Sequence, residues 1–212
     1  MFTNQLSVFM DYIDKGGIIF ILLIFFSIIS LSIILLKFLQ FYSINSSKLN
    51  KLEKKILQTD DQTELNEIYN IFKIDNKPFF SMFNESINVL KKNSLKEEEK
   101  ISEISILVNK ETDKLEKLLP SLDIIAQISP LLGLLGTVIG MISSFNQLEL
   151  GGTTVDPSVL AGGIWTALLT TAVGLIVAIP ALISHHFFEK KIQDFQNNIN
   201  NILVLIKNKA QL

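Results

Sequence analysis

Residues 16–36 read GGIIFILLIFFSIISLSIILL, a run of 21 positions without one charged side chain. At about 1.5 Å of rise per residue, a helix of that length measures about 31 Å and crosses a hydrocarbon core of about 30 Å. Asp11 and Asp14 precede it and Lys15 sits at its edge. A signal peptide needs a basic start, a shorter apolar stretch and a small-residue cleavage site, so the run is expected to be a retained membrane helix. Two more uncharged runs lie further along the chain. Residues 124–148 lie between Asp123 and Glu149, and residues 157–188 lie between Asp156 and Glu189. The third run exceeds what a bilayer needs, so it is expected to tilt, kink or project beyond the membrane. Pro130 and Pro180 lie inside these runs and mark expected kinks, because proline removes a backbone hydrogen bond.

The charge distribution sets the rest of the layout. The 212 residues carry 40 charged groups, and 29 of them fall within 37–123. That segregation excludes an ordinary soluble globular chain. A net charge of −2 and the lack of a dense basic stripe argue against nucleic-acid binding. With no cysteine, the chain has no disulfide framework, thiol nucleophile or cysteine-based zinc site. Of the 19 basic residues, all lysines, 14 lie in the connector after the first run and four in the tail from Glu189. The loop 149–156 has none, and the segment before the first run has only Lys15. Basic residues mark the cytoplasmic side of a membrane protein, so the connector and the tail are expected in the cytoplasm and the N-terminus and the ELGGTTVD loop on the opposite side. The expected segments are 1–15 outside, 16–36 first span, 37–121 cytoplasmic helical domain, 122–148 second span, 149–157 outer loop, 158–188 third span and 189–212 cytoplasmic C-terminal helix.

Within the connector, apolar spacing predicts a helix from Ser47 with Leu49, Leu52, Ile56 and Leu57 on one face, and a second around Asp61. Asp75-NKP interrupts the pattern, since the residue before a proline disfavours helix. Helix resumes over 79–90. A long amphipathic helix is expected to open at Ser94 and run through Leu119, with Pro120 as the bend into the second span. The Lys96-EEEK run reads as a solvated face. The connector either packs on itself or forms an assembly surface with copies of the chain.

Small and hydroxyl residues mark the second and third spans. Residues 129–145 read SPLLGLLGTVIGMISSF, which puts Gly133, Gly136 and Gly140 along one helical face. Gly136 and Gly140 form GxxxG, and Gly133 with Thr137 is a small-xxx-small pair that lets backbones approach closely in lipid. The face serves packing, pore lining or both, and Gly174 on the third span joins this set. On that span Thr166 and Thr170 share a face, and Thr171 lies about 100° around from Thr170. Membrane threonines often bond back to their own helix. Three of them within 166–171, opposite a Gly/Thr face, point to a hydroxyl-lined path.

The three uncharged runs, 16–36, 124–148 and 157–188, contain no Asp, Glu, Lys or Arg. A chain that moves protons or cations across a membrane normally needs an intramembrane ionisable group, so if this one conducts, the carboxylate must come from a partner. His185 and His186 are adjacent and point about 100° apart on a helix, a poor chelate, so no metal is expected. Ser184 beside His185 fails as a catalytic pair for the same reason. No phosphate-cradling glycine loop and no acid–base carboxylate pair occurs, so neither an enzyme nor a bound cofactor is expected.

Ser129-PLLGLLGTVIGMISSF and Gly162-GIWTALLTTAVGLIVAIPAL resemble the ExbB/TolQ/MotA family of ion-channel subunits, over about the last 90 residues. The three-span layout extends the likeness to the whole chain in outline. Three spans suit ExbB first and TolQ next, and fit four-span MotA less well. The resemblance implies an all-α bacterial inner-membrane protein, N-terminus periplasmic and C-terminus cytoplasmic, assembled as a homo-oligomeric, pentameric bundle. It implies that the pentamer surrounds a dimer of single-span ExbD/TolR-like helices whose Asp carries the proton. Flow of H⁺ then drives a periplasm-spanning protein of the TonB or TolA kind. Thr137 and Thr171 fall on the family's two pore threonines. Thr166 stands where ExbB and TolQ often carry Glu, and the pair Thr170–Thr171 resembles that of sodium-driven stators, which keeps Na⁺ open as the transported ion. The rival readings are a MotA-like motility stator and, from another class, a structural scaffold without conduction.

Overall fold

The computed structural model describes residues 2–42, 78–90, 92, 95–151 and 157–210. Among them lie five helices and no strand: α1 (Phe2–Tyr42), α2 (Pro78–Leu90), α3 (Glu97–Glu116), α4 (Leu119–Gly151) and α5 (Pro157–Ala210). Three stretches are long and apolar enough to cross a membrane: Gly16–Tyr42, Leu119–Leu150 and Leu160–Leu205. The fold is therefore all-α, as expected. The helices expected near Ser47 and Asp61 lie outside the described residues.

The chain divides into two compact units. The first joins Met1–Leu39 with Leu118–Phe187, and so holds the apolar parts of α1, α4 and α5. Its core is Ile33 of α1, Leu122, Ile125 and Ala126 of α4, and Val177 and Ala181 of α5, with Phe26, Ile29, Ile34 and Val173 packed against them. On α4 the buried face continues through Ser129, Gly133 and Gly136, at helical spacing. Leu131, Leu134, Val138, Ile142 and Phe145 point outward and are exposed. Such an apolar coat would be an aggregation liability in water and suits lipid or neighbouring chains.

α1 breaks at Gly17, whose φ of 60° and ψ of −157° lie in a region open almost only to glycine. The break separates residues 2–16 from the membrane stretch. At the other end α1 continues past Lys37 to Tyr42, so the first charge after the apolar run does not end the helix. Lys37 is buried, with 2% of its surface exposed. The third span likewise does not stop at 188. α5 is continuous from Pro157 to Ala210, uniting the expected span with the expected C-terminal helix. Pro130 and Pro180 both sit inside continuous helices.

The second unit joins Gln40–Lys117 with Phe188–Leu212. α2 starts at Pro78, where a missing N–H and a preset φ suit the first helical position. It packs on α3, burying Met82, Ile87 and Val89. Ser86 is buried as well, its hydroxyl donating to the Met82 carbonyl at 2.9 Å. α3 buries Lys100, Ile104, Val108, Thr112 and Leu115, one stripe at helical spacing. It begins at Glu97 rather than near Ser94, because Glu99 turns back to accept the Lys96 N–H at 3.0 Å. Glu97, Glu98 and Glu99 are exposed in its first turn, where acidic charge suits the helix dipole. Lys100 leaves the solvated run and reaches Glu97 at 3.3 Å. In the same unit α5 buries Phe188, Ile192, Phe195, Ile199 and Ile202, and the Phe188 ring stacks on Phe41 at 5.3 Å.

α3 ends at Glu116, short of the expected Leu119. Leu118 takes φ 77°, the left-handed region, and α4 starts at Leu119. The break precedes Pro120 because a proline ring clashes with the carbonyl four residues back, here Glu116, if the helix continues.

Candidate ion pathway

The small residues of α4 and α5 face each other within one chain. A Cβ on Gly133 would lie 2.9 Å from the Thr170 carbonyl oxygen and 3.0 Å from the Thr171 Cα. One on Gly136 would lie 2.5 Å from the Thr170 hydroxyl oxygen, and one on Gly174 would lie 2.6 Å from the Ser129 carbonyl oxygen. Gly140 is looser, with its nearest neighbour, the Gly163 carbonyl oxygen, at 3.5 Å. These glycines let two helices meet backbone to backbone, as small residues do in lipid.

The four threonines stand in different environments. Thr170 is buried, 1% exposed, in the space that Gly136 leaves. Its hydroxyl has one proton for two carbonyls, Ala167 of its own helix at 2.8 Å and Gly133 of α4 at 3.3 Å. Thr171 is half-buried and also reaches the Gly133 carbonyl at 3.3 Å. Both hydroxyls thus converge on one carbonyl. Thr137 is half-buried, and its hydroxyl stays on its own helix, donating to the Leu134 carbonyl at 2.6 Å. An O–H···O bond is usually about 2.7–2.8 Å, so the Thr171 contact is loose and the Thr137 contact firm. A hydroxyl whose proton is held by a carbonyl offers lone pairs to a cation or a protonated acid. A loosely held one can also turn and donate to a carboxylate.

Thr166, half-buried, borders a cavity of 670 Å³ among the ends of the three spans. Ser143, Ser144, Gln147 and Ser158 line it as well. Ser144 is buried and donates to the Gly140 carbonyl at 3.0 Å. Sequence reading singled out Thr166 but not Ser143 or Gln147. The available signal is their four-residue spacing on α4, which puts both polar groups on one face of an apolar helix. The His185 and His186 rings meet edge-on, with centroids 5.3 Å apart.

A model of the MotA/TolQ/ExbB proton channel family matches residues 70–201. The Tol-Pal system protein TolQ of Haemophilus influenzae is 32% identical over 111 residues, 50% of this chain and 48% of that protein. The biopolymer transport protein exbB1 of Vibrio cholerae is 49% identical over 61 residues, 29% of this chain and 27% of its own. The biopolymer transport protein ExbB of Salmonella typhimurium is 40% identical over 78 residues, 37% of this chain and 32% of its own. The chain thus spans about half the length of these curated relatives, or less.

Proposed function

Because this chain belongs to the MotA/TolQ/ExbB proton channel family, we propose that it is the channel subunit of an inner-membrane motor that couples the proton motive force to work on a periplasmic protein. Family membership and three apolar helices make it a multi-pass membrane protein and not an enzyme. Copies of the chain, five in number, surround a dimer of single-span ExbD/TolR-like helices. The driven protein is of the TonB or TolA kind, in import or in Tol–Pal envelope maintenance. The N-terminus is periplasmic and the C-terminus cytoplasmic, a reading supported by the lysine distribution.

The observation that carries the reading is the half-buried Thr171 hydroxyl, held at 3.3 Å by the Gly133 carbonyl between the runs 124–148 and 157–188, which contain no Asp, Glu, Lys or Arg. An apolar sleeve with exchangeable hydroxyls solvates a titrating acid without competing with it for charge. The acid is the partner's carboxylate, which Thr171 meets as donor when it is ionised and as acceptor when it is protonated. Thr137 acts as a second, firmer acceptor on the facing span. Thr170, fully enclosed, holds α4 to α5.

The convergence of Thr170 and Thr171 on the Gly133 carbonyl favours sodium as a second reading. Three oxygens lie together there, and hard cations take oxygen ligands. Proton transport leads because Thr170 is enclosed, packed into the space that Gly136 leaves, with no room for an ion at its oxygen. The test is Thr171→Val, which removes the hydroxyl at nearly constant volume. Gradient-driven work is expected to fall while the complex still assembles. Full activity in a correctly assembled Thr171→Val complex rejects the reading.

A further inference from the structure

The 670 Å³ cavity beside Thr166 has a composition that packing alone does not explain. It lies where the start of the α1 span (Gly17), the end of α4 (Gln147) and the start of α5 (Ser158) come together, so all three helix ends belong to one membrane face. Among the described residues that line it none is ionisable, and Ser143, Ser144, Gln147, Ser158 and Thr166 supply hydroxyl and amide groups. At about 30 Å³ per water, the space has room for on the order of twenty molecules, and the five polar side chains can anchor the first of them.

Gly162 is the telling residue. It lies within α5, where glycine is less favourable than alanine because it has more backbone freedom to lose. A Cβ there would meet nothing within 4 Å, so neither a close approach within the chain nor an unusual φ calls for glycine. What the missing side chain leaves is volume in the cavity. Gly163 next to it is the opposite case, since its Cβ would collide with Ser144.

We infer that this cavity is a water-filled outer vestibule, inside a single protomer, through which the transported cation reaches Thr166. The inference rests on the channel reading above and names the entrance. A bare cation against apolar helices is costly to desolvate. Water held by hydroxyls and an amide removes that penalty. Hydronium and hydrated Na⁺ share this chemistry, and flux measured with and without sodium tells them apart.

The chain has no cysteine, so single thiols can be placed on a clean background. In energised membranes holding the full complex, a charged, membrane-impermeant methanethiosulfonate is added from the periplasmic side. Gly162→Cys and Ser143→Cys are expected to react at least tenfold faster than Ile28→Cys, an exposed apolar position in mid-α1 where a thiol does not ionise. Modification at Gly162→Cys should cut ion flux at least fivefold, and reductant should restore it. Labelling no faster than Ile28→Cys would mean that lipid or a neighbouring helix fills the space, and overturns the inference. So does fast labelling that leaves flux unchanged. Thr171→Val is measured beside these variants. If it abolishes flux while vestibule modification does not, the entrance fails and the channel reading stands.

Discussion

Gly136 and Thr170 face each other so closely that a Cβ on Gly136 would lie 2.5 Å from the threonine hydroxyl oxygen. The side chain of one helix occupies the space the other leaves empty. This contact, with Gly133 against the Thr170 carbonyl and Gly174 against the Ser129 carbonyl, sets the register of α4 on α5. The same register places Thr171 beside the Gly133 carbonyl. Packing and proposed function therefore depend on one interface, and variants must separate them.

The four glycines are expected to differ in a fixed order when changed to alanine. Gly133 and Gly174 meet backbone atoms at 2.9 and 2.6 Å, which cannot rotate away, so Gly133→Ala and Gly174→Ala should sharply reduce the amount of folded protein in membranes. Gly136→Leu should do the same by expelling Thr170. Gly140→Ala, with ordinary contacts from 3.5 Å, and Gly162→Ala, with none within 4 Å, should be tolerated. Thermal aggregation midpoints of the purified complex check the order. Equal tolerance at Gly133 and Gly140 would contradict the backbone contact.

Thr170→Val and Thr171→Val are expected to part ways. Interhelical hydrogen bonds in membranes are worth about 0.6 kcal/mol on average, so losing the 3.3 Å bond from Thr170 should cost little stability. Gradient-driven activity should stay within about twofold. Thr171→Val should lower that activity about tenfold or more at equal complex abundance, and Thr171→Ser should restore it. A tenfold loss is about 1.4 kcal/mol of barrier, within what one hydroxyl aimed at a charged group supplies. Equal effects of the two valines would mean that the hydroxyls serve packing alone.

The three spans and their small-residue faces were legible because they depend only on the order of residues along the chain. Exclusion of charge from 16–36, 124–148 and 157–188 is a one-dimensional signal, and so is the Gly133, Gly136, Gly140 spacing. Which atom meets which was not legible. That Thr170 and Thr171 share the Gly133 carbonyl depends on the register of two helices, between residues 37 and 38 positions apart in sequence. Pro120 signalled a break after α3, but the bend falls at Leu118 because the proline ring acts four residues upstream. The role of Gly162 was hidden because an open glycine and a jammed one look alike in sequence, as its neighbour Gly163 shows.

Gly17→Ala isolates a conformational effect. The position has φ 60° and ψ −157°, yet a Cβ there would meet nothing within 4 Å. Any loss must therefore come from the backbone, about 1–3 kcal/mol for a non-glycine residue in a sparsely populated region. A lower thermal midpoint is expected for Gly17→Ala. A complex as stable as the unmodified one would show that the break at Gly17 is not required.

Sodium dependence can be decided without mutation. Gradient-driven activity in sodium-free buffer, with an intact proton gradient, is expected to match that in sodium. The Thr170 oxygen is enclosed, 1% of the residue being exposed, and packed against Gly136, which leaves no room for an ion beside it. Activity that requires sodium would make Thr170, Thr171 and the Gly133 carbonyl the coordinating set instead.

Leu118 joins the end of α3 to the start of α4 and carries the strain of the junction. Its φ of 77° costs a non-glycine residue roughly 1–2 kcal/mol. The neighbouring bonds hold it there: the Lys117 N–H reaches the Asp113 carbonyl at 3.0 Å, and the Leu122 N–H reaches the Leu118 carbonyl at 3.2 Å. Glycine adopts this conformation freely but loses about 0.5–1 kcal/mol more chain entropy on folding, so Leu118→Gly should stabilise the complex by up to about 1 kcal/mol. Leu118→Ala keeps the strain and gains nothing. With the side chain 39% exposed, truncation itself should cost little in either variant. A higher thermal midpoint for glycine than for alanine is therefore the expected result. The reverse order would mean that contacts of the leucine side chain, rather than its backbone conformation, govern this joint.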